Sequence, residues 1–138
     1  MRILQPDGWA RPAGYSNGIA CRGVMVFVAG QIGWDAGGRL VSADFVEQSR
    51  QALANIVAVL AEAGGTPQHI ARLTWYVTDN REYLAQCKAL GRVYREIIGA
   101  HYPAMTVVQV AGLFEDGAKV EIEATAVVPQ GEDPEKRS

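Results

Sequence analysis

Apolar and polar residues alternate in several short segments of this chain and recur at helical spacing in two longer ones. A period of two is typical of strands with one buried face, and a period of three to four is typical of amphipathic helices. The strand-like segments are residues 19–21, 24–29, 70–77, 106–110 and 119–128, and the helix-like segments are residues 45–63 and 83–98. Two helices can cover only one face of such a sheet. We therefore predict an α+β fold with a mixed β-sheet and two helices on one face.

Turn and capping residues predict where these elements begin and end. Arg22-Gly23, between the first two strand segments, indicates a β-hairpin. Asp44 and Asp79 each precede a glutamate by three residues, which is capping-box spacing at a helix N-terminus. An acidic, glycine-containing turn is expected to join the last two strands. On the first helix, Gln48 falls on the polar side, which predicts that it is solvated.

Length and composition limit the classes of protein to be considered. The chain has 138 residues, 49% of them apolar, which fits one domain over residues 1–130. The charged, proline-containing segment 131–138 is predicted to be a disordered tail. A net charge of −2 lacks the basic excess that phosphate backbones require, so nucleic acid is not an expected partner. No membrane contact is expected either, because no apolar run approaches the ~20 residues that span a bilayer.

Candidate metal ligands and reactive thiols are few. The cysteines Cys21 and Cys87 are far apart, and His69 and His101 show no metal-ligand spacing with them. We therefore expect no metal, and two reduced, inert thiols. Because the N-terminus has no apolar core of a signal peptide, a cytoplasmic location is expected.

A glutamate within the last apolar strand is the strongest candidate for chemistry. Glu121 stands among β-branched residues, where an unpaired carboxylate is costly to bury. It is therefore either a functional group in a cleft or a structural carboxylate with a partner. The neighbouring Glu123 fits a salt bridge better. The uncovered sheet face also carries apolar residues such as Val107 or Val108, which predicts an oligomer with ligand clefts between subunits.

Four short motifs follow one another along the chain: Gly14-Tyr15-Ser16, Ala29-Gly30-Gln31-Ile32, Pro103-Ala104 and Val120-Glu121-Ile122-Glu123-Ala124. In this order they resemble the motifs of the RidA (YjgF) family of reactive-intermediate deaminases. The resemblance extends over residues 14–128. It implies a chorismate-mutase-like single domain, a homotrimer with clefts between subunits, and cofactor-free hydrolysis of an enamine or imine acid with release of ammonia.

The resemblance also implies roles for individual residues. Glu121 would position water, Tyr15 would line the cleft as a second catalytic group, and the Gly30 backbone would lie near the substrate carboxylate. The remaining substrate-binding candidates are Met105, Val107, Trp34 and Asn17. Each has a simpler alternative: Tyr15, Met105 and Val107 as packing residues, Trp34 as the cap of a sheet edge, and Asn17 as a turn former.

The chain departs from the family pattern at the position that binds the substrate carboxylate. The family has an arginine directly after Pro-Ala, and this chain has Met105. Methionine offers neither charge nor donors, and each lost charge-assisted hydrogen bond costs roughly 1.5–3 kcal/mol. Arg11, Arg22 and Arg72 remain as possible replacement cations. The alternative function is therefore a non-catalytic trimer that binds a small metabolite.

One branch of the family is more similar than the rest. Residues 75–79, 101–105 and 108–113 resemble the 2-aminomuconate deaminases, whose substrate is a longer enamine with two carboxylates. This resemblance implies an enamine substrate with two carboxylates. A third class, RNA-directed activity as attributed to some relatives, is opposed by the acidic net charge.

Overall fold

Six strands and three helices make up the computed structural model, which describes residues 1–129. Strands β1 (Arg2–Leu4) and β2 (Gly18–Ala20) form an antiparallel ribbon. Strands β3 (Val24–Gln31), β4 (Ile70–Val77), β5 (Ala104–Gln109) and β6 (Val120–Val128) form the main sheet in the order β3-β6-β4-β5. Within it only β4 and β5 run parallel. The predicted α+β class with a mixed sheet is confirmed. The predicted tail, residues 131–138, lies outside the described residues.

Side-chain caps start two of the helices, as predicted. Helix α1 (Phe45–Ala61) begins where Asp44 accepts a hydrogen bond from the Glu47 amide at 3.0 Å. Asp79 accepts one from the Arg81 amide at 2.9 Å and so caps α2 (Asn80–Ala85). The predicted second helix is divided, because Gln86 takes φ −102° and ψ 12° and separates α2 from α3 (Cys87–Ile97).

The hydrophobic core lies between the helices and one face of the sheet. Alternate residues of β6 point into it, and α1 contributes its apolar stripe from the other side. The fully buried core side chains include Leu53, Ile56, Leu60, Leu73, Val120 and Ile122. These buried positions agree with the alternation of apolar and polar residues in segments 70–77 and 119–128, which predicts one buried face for each strand.

Two predicted strand connections are wrong. Strand β2 pairs with β1, with Ile19 opposite Ile3, and does not form a hairpin with β3. Gly23 instead brings the start of β3 against the end of β6, an approach so close that a Cβ would lie 2.0 Å from the Val128 oxygen. Strands β5 and β6 are not neighbours either, because the connection at residues 110–119 is long enough to place them on opposite sides of β4.

The prediction that Gln48 is solvated is also wrong, since its side chain is fully buried. Its Nε2 donates to the backbone oxygens of Ser42 and Gly117, both at 2.9 Å, and its Oε1 accepts from the Lys119 amide at 2.8 Å. One side chain of α1 thus fastens the loop before the helix and the loop before β6.

We expect Gln48→Ala to lower the free energy of unfolding by about 1.5–4.5 kcal/mol, because three backbone hydrogen bonds to this buried side chain are lost, each worth roughly 0.5–1.5 kcal/mol. Urea denaturation at fixed protein concentration measures this loss. Gln51→Ala is the matched control, since within residues 1–129 the Gln51 side chain bonds only to Asn55 on the same helix. Equal losses for the two variants would contradict the anchoring role.

Within residues 1–129, no helix lies over the opposite face of the sheet, which we call the open face. Phe27 is 72% exposed there and Met25 58%. Such an apolar surface is unusual on a monomer and is typical of an interaction surface. Within residues 1–129, every helix is too short or too polar to cross a membrane.

Candidate functional site

Glu121 lies in the middle of β6 on the open face, opposite Tyr76 of β4, and is half-buried. Its carboxylate stands directly over the backbone of Gly30, so close that a Cβ at position 30 would lie 2.3 Å from Oε2. The register of β3 shifts between Val28 and Gln31, next to this contact. Such an irregularity re-aims the backbone of a strand and often occurs near active sites. Glycine at position 30 therefore leaves the space that the carboxylate occupies.

Glu123 has a structural partner on the same face. The Tyr76 hydroxyl donates a hydrogen bond to its Oε1 at 2.8 Å, in place of the expected salt bridge. This hydrogen bond is the largest cause of the raised pKa of Tyr76, and burial and the charges of Glu123 and Glu121 act in the same direction. Within residues 1–129, no hydrogen bond or ion pair engages Glu121. Glu121 is thus the carboxylate that is free to act on a ligand.

Met105 and Val107 lie on the other side of the sheet. They stand opposite Leu73 and Trp75 of β4, and so point toward the helices. There they line a cavity of about 640 Å³, which we call the aromatic cavity. Its wall includes Tyr15, Trp75, Tyr83, Gly91, Tyr94 and Met105.

The walls of the aromatic cavity are uncharged. None of the described residues that line it is Asp, Glu, Lys or Arg. The Tyr94 hydroxyl donates to the His101 oxygen at 2.6 Å, and its ring stacks on Tyr102 with centroids 5.6 Å apart. Burial raises the pKa of Tyr83, with the nearby Cys87 adding to the shift, and it raises the pKa of Tyr94 strongly. Both hydroxyls are therefore neutral at physiological pH.

Tyr15 reaches this cavity because the residue after it is firmly held. The Ser16 hydroxyl donates to the Tyr102 oxygen at 2.6 Å, and the Ser16 amide donates to the Pro103 oxygen at 3.0 Å. Ser16 also forms a parallel bridge with Ala104. The predicted Gly14-Tyr15-Ser16 and Pro103-Ala104 motifs are thus adjacent in space, and Ser16 is the buried anchor that joins them.

The two remaining candidates lie outside the aromatic cavity. Asn17 donates to the Gln5 side chain at 2.8 Å, and it faces a separate groove with Arg22 and Arg72. Trp34 donates to the Gln31 side chain at 3.3 Å and bridges to Leu40. Trp34 therefore belongs to the region just beyond Gly30, and neither residue meets Met105.

The candidate residues thus fall into two groups on opposite faces of the sheet. Gly30 and Glu121 are on the open face, whereas Tyr15, Met105 and Val107 surround the aromatic cavity. The helix side of this cavity is not among the predicted site residues. Tyr83, Cys87 and Tyr94 recur at helical spacing within the segment 83–98, and such spacing predicts a buried side of a helix but does not reveal a cavity. Within residues 1–129, no cluster of three metal-ligating side chains is present.

Comparisons of the sequence and of the structure with known proteins find the same family. Residues 9–128 match the endoribonuclease L-PSP family. Over 103 residues the chain is 36% identical to a 2-iminobutanoate/2-iminopropanoate deaminase of Capra hircus, covering 74% of this chain and 72% of that protein. The crystal structure of YyfB, a Rid-family protein of Yersinia pestis, matches with a TM-score of 0.81 and 32% identity, covering 92% and 98% of the two chains. Escherichia coli TdcF with bound serine matches with a TM-score of 0.65 and 32% identity, covering 93% and 99%.

Proposed function

Because this chain belongs to the endoribonuclease L-PSP family, which includes the RidA-type deaminases, we propose that it hydrolyses an enamine or imine acid to a 2-oxo acid and ammonia. The observation that carries the proposal is the half-buried Glu121 carboxylate, which lacks a partner and stands over Gly30. The deaminase names of its relatives support the same reaction. RNA cleavage is not proposed, because the net charge is −2 and the cavity is uncharged.

We further propose that the site is completed by a neighbouring copy of the chain in a homotrimer. In this arrangement the open face of one copy covers the aromatic cavity of the next, and Glu121 meets Tyr15 and Met105 across the cleft. The exposed Phe27 and Met25 would then be buried by assembly. Closed symmetry of this kind is the usual form of soluble homo-oligomers.

Glu121 would act as a base and then as an acid. It removes a proton from water while the water oxygen bonds to the carbon of the iminium ion and the C=N electron pair moves to nitrogen. It then gives this proton to the amine nitrogen, and it takes the hydroxyl proton as C=O forms, the C–N bond breaks and ammonia leaves; that last proton passes to solvent. An enamine substrate first takes a proton on carbon, which gives the same iminium ion. The Gly30 amide and the Tyr15 hydroxyl would donate hydrogen bonds where charge develops. Trp34, just beyond Gly30, would form the edge of this half of the cleft.

A second candidate function is non-catalytic binding of a small metabolite by the same trimer. Met105 favours it, because no cation takes the place of the missing arginine in the cavity wall. Arg72 lies on the open face, opposite Thr125. It is four residues along β4 from Tyr76, the residue opposite Glu121, and four residues of a strand span about 13 Å. Neutral donors must therefore hold the substrate carboxylate if the reaction proceeds.

The test is ammonia release from enzymatically generated 2-aminomuconate, measured beside 2-aminoacrylate and corrected for spontaneous hydrolysis. We propose 2-aminomuconate as the first substrate because of the resemblance in residues 75–79 and 101–105. We expect one ammonia per 2-aminomuconate and at most a trace from 2-aminoacrylate. Spontaneous rates alone with both compounds would reject the deaminase and favour the metabolite-binding trimer.

A further inference from the structure

The aromatic cavity is larger than a three- or four-carbon imino acid requires. Its volume of about 640 Å³ falls within the range of roughly 300–1,000 Å³ that is typical of pockets for drug-sized ligands. Tyr15 and Met105, two of the proposed substrate-binding residues, stand in its wall. Space therefore remains beside the reacting atoms for a large substituent.

The walls determine the kind of substituent that fits this space. Five of the lining residues are aromatic: Tyr15, Trp75, Tyr83, Tyr94 and Tyr102. Trp75 Nε1 is shielded from solvent and has no oxygen or nitrogen partner, while the Tyr83 ring packs edge-on against the Trp75 indole. A charged or strongly polar group would lose its hydration here without compensation. A planar unsaturated group, in contrast, can stack against the rings.

Gly91 keeps this space open on the side of α3. It lines the cavity, and a Cβ built on it has no atom within 4 Å. Glycine in the middle of a helix costs roughly 0.5–1 kcal/mol relative to alanine, and no turn or positive φ requires it at this position. The absence of a side chain at position 91 therefore contributes room to the cavity rather than stability to the helix.

We propose, building on the deaminase function, that the aromatic cavity holds a planar unsaturated substituent of the substrate. The preferred substrates are then 2-imino acids or enamines that carry an aryl ring or a conjugated diene. An aromatic imino acid is one member of this class, and the conjugated chain of 2-aminomuconate is another, provided that its terminal carboxylate extends past the uncharged wall to solvent. Small aliphatic imines leave the cavity empty and gain nothing from it.

The test fills the cavity at position 91. Imines are generated from phenylalanine and alanine with an L-amino-acid oxidase, and their hydrolysis is measured against capture by semicarbazide. We expect wild type to have the higher kcat/KM for the phenylalanine-derived imine. Gly91→Phe should lower that value about 10- to 100-fold, the effect of burying or excluding one ring, and should change the alanine-derived value by no more than about threefold. Gly112→Phe is the matched control and should preserve both, because Gly112 lies outside the aromatic cavity and a Cβ built on it also has no atom within 4 Å.

A binding measurement separates this proposal from the deaminase function. Phenylpyruvate and pyruvate, the products of the two imines, are titrated calorimetrically into wild type, Gly112→Phe and Gly91→Phe. Phenylpyruvate should bind to the first two proteins and not to the third, and it should do so even if no imine is hydrolysed. Preference for the alanine-derived imine or pyruvate, or equal losses for both compounds in Gly91→Phe, would overturn the proposal. Side-by-side kcat/KM values for 2-aminomuconate distinguish a diene from an aryl ring as the natural group.

Discussion

Replacing Glu121 by glutamine is expected to lower kcat by about 10²- to 10⁴-fold, the range that a positioned general acid–base contributes. Glutamine keeps the size and the hydrogen-bonding reach of the side chain, but it can neither take a proton from water nor return it to nitrogen. Because the carboxylate makes no hydrogen bond or ion pair within residues 1–129, the substitution removes no structural contact. Melting temperature and oligomeric state should therefore stay at the wild-type values while ammonia release stops.

Glu123→Gln is the matched control for this prediction. It changes a carboxylate two residues away on the same face, whose role is to accept the hydrogen bond from Tyr76. We expect its kcat to remain within about tenfold of wild type, since the glutamine amide oxygen can still accept the hydrogen bond from Tyr76 and only its charge assistance is lost. Full turnover in Glu121→Gln, or equal losses in the two variants, would show that Glu121 is not the acid–base group.

Gly30→Ala tests the same carboxylate from the other side of the contact. The added Cβ would meet the end of the Glu121 side chain rather than a backbone atom. The side chain should move away while the sheet remains intact, so activity is expected to fall with little loss of stability. A fully active Gly30→Ala would show that the position of Glu121 over residue 30 does not matter for turnover.

The faces of the sheet could be predicted from the sequence because they depend on local alternation. In β6 every second residue from Val120 to Val128 is buried, and the intervening Glu121 and Glu123 follow as open-face residues without further information. The caps at Asp44 and Asp79 were predictable for the same reason, since a capping box lies within one turn of chain. Pairing was less predictable, because Gly23 contacts Val128 from more than a hundred residues away.

The burial of Gln48 and the aromatic cavity could not be predicted from local pattern, because both depend on contacts with residues that are distant in the sequence. Gln48 is polar, and its place on the helix predicts that it is solvated. Its side chain is instead buried, and it donates hydrogen bonds to the Ser42 and Gly117 oxygens. Tyr83 and Tyr94 have the spacing of residues on the buried side of a helix, yet they line a cavity. Gly91, which lies between them in the sequence, has no side chain to fill the space beside it. Apolar periodicity indicates which side of a helix faces inward, and it does not distinguish a filled interior from a hollow one.

The candidate residues lie on two faces of the sheet. We therefore expect that two inactive variants, each damaged on a different face, recover ammonia release when they are mixed in one trimer. Glu121→Gln damages the open face, and Met105→Glu places a negative charge in the aromatic cavity, where it should repel the substrate carboxylate. If each cleft takes its open face from one subunit and its cavity from the next, a mixed trimer contains clefts in which both halves are intact. In a 1:1 mixture about a quarter of the clefts should be of this kind, because each half is intact in half of the subunits of a closed ring.

Co-expression with two different affinity tags, followed by purification on both, isolates the mixed oligomers for this measurement. Each variant alone should show almost no ammonia release, and the doubly purified mixture should recover about one third of the wild-type rate, because every mixed trimer of either composition has one cleft of three in which both halves are intact. Glu121→Gln mixed with Glu121→Ala is the control, since both lesions lie on the open face and no intact cleft can form. An inactive mixture of Glu121→Gln with Met105→Glu would mean that one chain supplies the whole site. Glu121 would then have to act on the open face without Tyr15 and without the aromatic cavity, because the sheet lies between them.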